Sequence, residues 1–227
     1  MDYGEIIKKL ESLKNPKNVE GMARFGIKPK VKVYGVSIPE LRKMAKQIGK
    51  NHKLSQELWI SGIHEAKILA GYIAEAEKIT EQQMNKWVKD FDSWDIVDQV
   101  CGNLFDKTKF AYKKVFEFSK RKEEFVKRTA FTLMATLSVH NKELEDEDFI
   151  KFFPLIKQTS TDERNFVRKA VNWALRQIGK RNKKLNKEAT RIAKEIKKES
   201  VHSKGARWIA NDAIRELTSE NVQKRLK

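Results

Sequence analysis

The segment FVKRTAFTLMATL (125–137) returns as FVRKAVNWALRQI (166–178) at an offset of 41 residues, and GARWIANDAIREL (205–217) follows at a further 39 to 40. Within each copy the apolar residues recur three and four positions apart, the period of an α-helix with one buried face. No copy can bury that face alone, so each must pack against its neighbours. A chain that repeats in this way stacks helices.

The remainder agrees. The four prolines (Pro16, Pro29, Pro39 and Pro154) each lie at or near an expected helix boundary, and alternating β-branched runs are rare. Ser37, Pro39 and Glu40 read as an N-cap, a first-turn proline and the partner of a capping box. Ile38, Leu41, Ala45 and Ile48 continue that helix as an apolar stripe. Further stripes run from Leu58 to Ala76, Met84 to Phe91, Trp94 to Phe105, Phe149 to Ile156 and Ala189 to Ile196. The exception is GIKPKVKVY (26–34), which reads as an ordered loop. A helix-pair period near 40 residues is that of HEAT-type repeats, whose stacked pairs curve around a concave surface. The expected fold is therefore all-α, a single HEAT-like solenoid domain over residues 1–227. Lys127 and Arg128, Arg168 and Lys169, and Arg207 recur at one place in each copy and would line its groove.

Charge points the same way. The formal net charge is +17, and from Ser160 onward nineteen Lys and Arg stand against eight Asp and Glu, a net of +11. Such asymmetry argues for a polyanionic partner, nucleic acid first and an acidic membrane surface second; solvated helix faces are the plain alternative. With Cys101 the sole cysteine and His52, His64, His140 and His202 scattered, no metal site and no cofactor are expected. Neither a leader-like apolar stretch nor a membrane span is visible, so a soluble intracellular protein is expected.

One stretch runs against the charge: DFDSWDIVD (90–98) holds four acids and a tryptophan in nine residues. If Asp92 caps the following helix, Asp95 falls in its first turn, where the helix dipole favours a carboxylate. Asp98 lies a turn further on, where that argument fades. On a helical wheel Val97, Val100, Cys101 and Leu104 form the core stripe, with Trp94 at its edge and Asp98 beside it at i+4. A carboxylate next to an indole at a groove rim suits stabilising a cation. An ordinary ion pair to a neighbouring Lys or Arg, with Trp94 as filler, fits the spacing as well and is the more economical reading. Trp59 and Trp87 read as core and Trp208 as packing, whereas Trp173 fits core and groove equally. Arg128 opens a helix stripe and would serve as a phosphate ligand.

MARFGI (22–27), YGVSIPELR (34–42), LWISGIHEAKILA (58–70), SWDIVD (93–98), FVKRTA (125–130) and FVRKAVNWALRQIGKRN (166–182) together, in this order, carry a resemblance. The chain resembles the AlkD-type DNA alkylation repair glycosylases, HEAT-like proteins that excise positively charged N-alkylated purines. The resemblance implies that Asp98 is the catalytic carboxylate and Trp94 one aromatic wall. It places a groove arginine at Arg128 and a second wall at Trp173. Phe25 stands where a tyrosine would be expected. It further implies a monofunctional glycosylase acting on 3-methyladenine or 7-methylguanine in double-stranded DNA, working as a nucleoid-associated cytoplasmic monomer. The alternatives are a non-catalytic DNA-binding module of the same shape and a helical-repeat protein scaffold.

Overall fold

A computed structural model of the protein describes residues 1–226, which fall into two compact units, Met1–Lys109 and the residues from Phe110 onward. Fifteen α-helices and two short 3-10 turns make up both, and the described residues form no strand beyond one isolated bridge, Lys32 to Ile63. No helix is long and apolar enough to cross a membrane.

The first unit contains α1 (Tyr3–Ser12), α2 (Pro16–Arg24), α3 (Ile38–Ile48), α4 (His52–Trp59), α5 (His64–Ile73), α6 (Glu81–Lys89) and α7 (Trp94–Asn103). Its centre is α5, apolar nearly all round and accordingly buried on nearly every side, with α1, α3, α4 and α7 packed against it. The apolar run from Leu58 to Ala76 is therefore not one helix. Gly62, at φ +74°, turns the chain between α4 and α5.

That turn receives the loop at 26–34. Lys32 donates its N–H to the Gly62 carbonyl at 3.0 Å and accepts from His64 N at 2.9 Å. The buried Glu65 carboxylate accepts the N–H groups of Tyr34 and Gly35, the latter at 2.6 Å. Gly35 itself sits at φ +77°, where a Cβ would lie 2.3 Å from the Asn15 carbonyl, so no other residue fits without moving α2. Ser37 is the N-cap of α3, but its side chain makes no capping bond. Pro39, second in the helix, removes one of the two N–H groups that a capping serine would reach, and the expected box does not form.

Trp59 and Trp87 are buried and stacked, with centroids 3.9 Å apart and planes within 2°. Phe91 and Phe105 close around them. Both tryptophans are core, as their stripes require.

The second unit comprises α8 (Ala111–Phe118), α9 (Glu124–His140), α10 (Asp146–Ile150), α11 (Phe153–Thr159), α12 (Asn165–Gly179), α13 (Lys183–Glu199), α14 (Lys204–Leu217) and α15 (Glu220–Gln223). The three repeated segments lie in α9, α12 and α14, and α12 packs against both of the others. Behind them α8 lies on α9, α11 on α12, and α13 on both α12 and α14. The stripe from Phe149 to Ile156 is split between α10 and α11, with Phe149, Phe152 and Phe153 buried at the break.

Candidate nucleic-acid interface

Three of the four acids in DFDSWDIVD are held by distant parts of the first unit. Asp90 accepts the Trp59 indole N–H at 2.9 Å. Asp92 accepts the backbone N–H of Lys30 at 2.7 Å and so fastens the loop at 26–34. It is therefore not the N-cap of α7; Ser93 takes that position, and its hydroxyl turns to Asp95 at 2.6 Å. Asp95 is in the first turn as expected, yet the dipole is not its main partner. Its other oxygen meets Nε2 of the buried His64 at 2.7 Å. Burial disfavours the imidazolium, but the Asp95 hydrogen bond and charge outweigh it and hold the His64 pKa above 6.5. For Asp95, burial acts against ionisation and His64 more than offsets it, so its pKa lies below 3.8.

Asp98 is the fourth acid. It is half-buried on α7, four residues after Trp94 and on the same side, while Val97, Val100 and Cys101 are fully buried as the wheel requires. Trp94 is also half-buried, and its indole N–H donates to the Phe25 carbonyl at 3.1 Å. The Phe25 side chain is 73% exposed. Between α2, residues 35–38, α5 and α7 lies a cleft of about 410 Å³, walled by Met22, Phe25, Ile38, Ile68 and Trp94. The first unit thus brings Phe25 and Trp94 together at this cleft, whose acids are Glu65 and Asp95, while Asp98 follows Trp94 one turn along α7.

In the second unit Arg128 is only 4% exposed, and its guanidinium donates to the Phe166 carbonyl at 2.6 Å, joining α9 to α12. Lys127 beside it is 3.8 Å from Asp162, a carboxylate that Arg164 also grips at 2.6 Å. Arg168 lies 3.9 Å from Glu163 and places its guanidinium over the Trp208 ring, 5.4 Å from the centroid. Lys169 is exposed, and the half-buried Trp173 lies one turn beyond it on the same side of α12. The second unit thus separates them: Lys127 turns to Asp162 on the α8–α11 side, Arg128 is buried between α9 and α12, Arg168 faces α14, and Lys169 shares one side of α12 with Trp173.

Trp208 corrects the sequence reading. It is 41% exposed rather than packed, because the buried face of α14 is formed by Ala206, Ile209, Ala210, Ala213 and Leu217 and position 208 points off it. A wheel drawn for α14 carries that signal. His64 carries no comparable local signal, since its partner lies 31 residues away. Among the described residues no group of three or more His, Cys, Asp or Glu is placed to hold a metal ion.

Comparison with known proteins follows the same lines. The family model for DNA alkylation repair enzymes matches residues 6–217. A solved structure from a family described as related to the HEAT-like repeat DNA glycosylases, with affinity for branched DNA structures, superposes with a TM-score of 0.76. It is 20% identical and covers 86% of this chain and 83% of its own. A designed armadillo repeat protein matches at a TM-score of 0.38, with 15% identity over 78% of this chain and 92% of that one. No curated protein matches the chain. The first likeness places the chain among all-α repeat folds. With the matched span running from α1 to the last residue of α14 and holding every candidate residue, the chain belongs to the DNA alkylation repair enzyme family.

Proposed function

We propose that the protein is a monofunctional glycosylase that hydrolyses the N-glycosidic bond of cationic alkylpurines, 3-methyladenine and 7-methylguanine, in duplex DNA. The carrying observation is the register of Asp98 with Trp94, four residues apart on α7 and both half-buried. An alkylated purine that already bears positive charge leaves without protonation, so the reaction needs no general acid. The sugar left behind has oxocarbenium character. Asp98 stabilises that charge and orients the attacking water. Trp94 is an aromatic wall beside Asp98 and Trp173 an aromatic face of the second unit, each offering cation–π attraction of about 0.5–2 kcal/mol. Lys127, Arg168 and Lys169 take phosphates and set register without reading sequence, while the buried Arg128 ties α9 to α12. Phe25 presents an apolar tip near Trp94. The protein acts as a monomer on double-stranded DNA and needs no cofactor.

A DNA-binding module without hydrolysis is the second reading, favoured by the branched-DNA affinity of the structurally similar family. Asp98→Asn separates the two. It keeps size and hydrogen-bonding capacity and removes the charge, so single-turnover release of 7-methylguanine should slow by about 10²–10³, or roughly 3–4 kcal/mol. Affinity for DNA should hold or rise slightly. Equal release by wild type and Asp98→Asn removes the catalytic role.

A further inference from the structure

We propose that α13 carries a second phosphate-binding face that takes the backbone of a second duplex segment. This rests on the reading of duplex DNA as the ligand. Lys183, Lys187, Lys194, Lys197 and Lys198 are all exposed, and none has a carboxylate partner among the described residues. At 3.6 residues per turn the five fall within an arc of about 100°, and the stripe from Lys183 to Lys198 is about 22 Å long. That length spans roughly six base-pair steps. Opposite them Leu185, Ala189, Ile192, Ala193 and Ile196 are buried against the rest of the unit.

The acids of α13 do not neutralise the stripe. Glu188 pairs with Arg191 at 3.0 Å, while Glu195 and Glu199 reach Lys157 of α11 at 2.9 and 2.8 Å. Several cations of and beside α12 and α14 are treated differently. Arg176 is paired with Glu216 and Asp212, Lys180 with Glu216 at 2.6 Å, and Arg215 with Asp212. Unpaired exposed cations in the C-terminal third are most numerous on α13, five against Lys169 on α12 and Lys204 and Arg207 on α14.

Such a stripe works against the helix that bears it. Like charges at i,i+4, as in Lys183 with Lys187 and Lys194 with Lys198, each disfavour helix. The stripe borders a shallow trough of about 740 Å³ between α13 and α15, where Asn186, Thr218 and Gln223 add polar groups. A lipid surface fits less well: interfacial helices set apolar residues beside their cations, and the apolar face of α13 is already buried. The lysines point away from α12 and α14, so a straight duplex lying along those helices does not reach them. A second arm does.

Fluorescence anisotropy of the full chain with a 20-base-pair duplex (an arbitrary probe of roughly two turns) and with a four-way junction of the same arms tests this. Wild type should prefer the junction by about tenfold or more. Combined Lys183→Gln, Lys187→Gln, Lys194→Gln and Lys198→Gln should abolish the preference and flatten the junction's salt slope by about 3. Duplex affinity and base release should stay within about twofold. A matched control, Lys8→Gln, Lys43→Gln, Lys46→Gln and Lys53→Gln, should leave the preference intact. Equal losses in both variants would reduce the effect to bulk charge, and a parallel fall in duplex affinity would make α13 part of a single duplex surface. Either result overturns the proposal, as does tighter binding to phosphatidylserine vesicles than to the junction. Wild type that binds duplex and junction alike removes only the second face; wild type that binds no DNA removes the functional reading with it.

Discussion

An acid cluster lies in the first unit, at residues 90–98, and an unpaired basic stripe in the second, along α13. They have opposite fates. Asp90, Asp92 and Asp95 turn to an indole, a backbone N–H and an imidazole from other elements, so their charge is absorbed into the fold. The α13 lysines meet solvent. Density of charge along a chain therefore says little about function until its partners are known. A buried carboxylate with a partner maintains architecture, and an exposed row of cations without one is available to a ligand.

The tryptophans divide along the same line, and the sharpest way to break the comparison is to truncate one from each unit. Trp59→Ala removes half of a buried stack and the donor to Asp90, and should cost about 3–5 kcal/mol, read as a large fall in Tm. A small fall would mean that this core tolerates a cavity far better than its packing implies.

Asp95→Ala comes next. It leaves a buried imidazole without its partner and should destabilise by about 3 kcal/mol, well beyond what a helix dipole alone supplies. The penalty should depend on pH. His64 has a raised folded pKa, so its contribution is complete below 6.5 and fades as pH climbs through the folded value. Asp95 has a lowered pKa, so its contribution is present above 3.8 and is lost as pH falls through its folded value. The Tm gap between wild type and variant should be widest near pH 5 to 6 on this argument and narrow on the alkaline side. A gap constant up to pH 9 would show that His64 is neutral in the folded protein.

Smaller effects are expected in the second unit. Arg168→Glu with Lys169→Glu should flatten the salt dependence of duplex binding by about 1 to 2, at 0.9 per phosphate, with the helical signal unchanged. Arg168 already faces Glu163, which weights the change toward Lys169. An unaltered slope would remove both from the interface. Trp208→Ala, at an exposed site, should cost below about 1 kcal/mol in stability. A loss as large as that of Trp59→Ala would erase the distinction between the units.

What could be read beforehand follows from how far each interaction reaches along the chain. The helical class, the repeat in α9, α12 and α14, and the burial of Trp59 and Trp87 all rest on periodicity within a dozen residues. The assignment of Asp92 as a cap failed because its partner, Lys30, is 62 residues away. The pairing of Asp95 with His64 and the grip of Glu65 on the loop at 26–34 were invisible for the same reason. Trp208 is different: a local wheel places it off the buried face, and its reading as packing underused information already present. The split of the run after Leu58 was marked only by Gly62, one residue whose left-handed backbone a hydropathy pattern does not register.

The bond from the Trp94 indole to residue 25 ends on a main-chain oxygen. Every amino acid supplies that oxygen, so the orientation of the tryptophan is indifferent to what side chain position 25 carries. The fold has separated anchoring from presentation at this point. Exchange at position 25 therefore changes the side chain beside Trp94 while leaving the anchor of the indole in place.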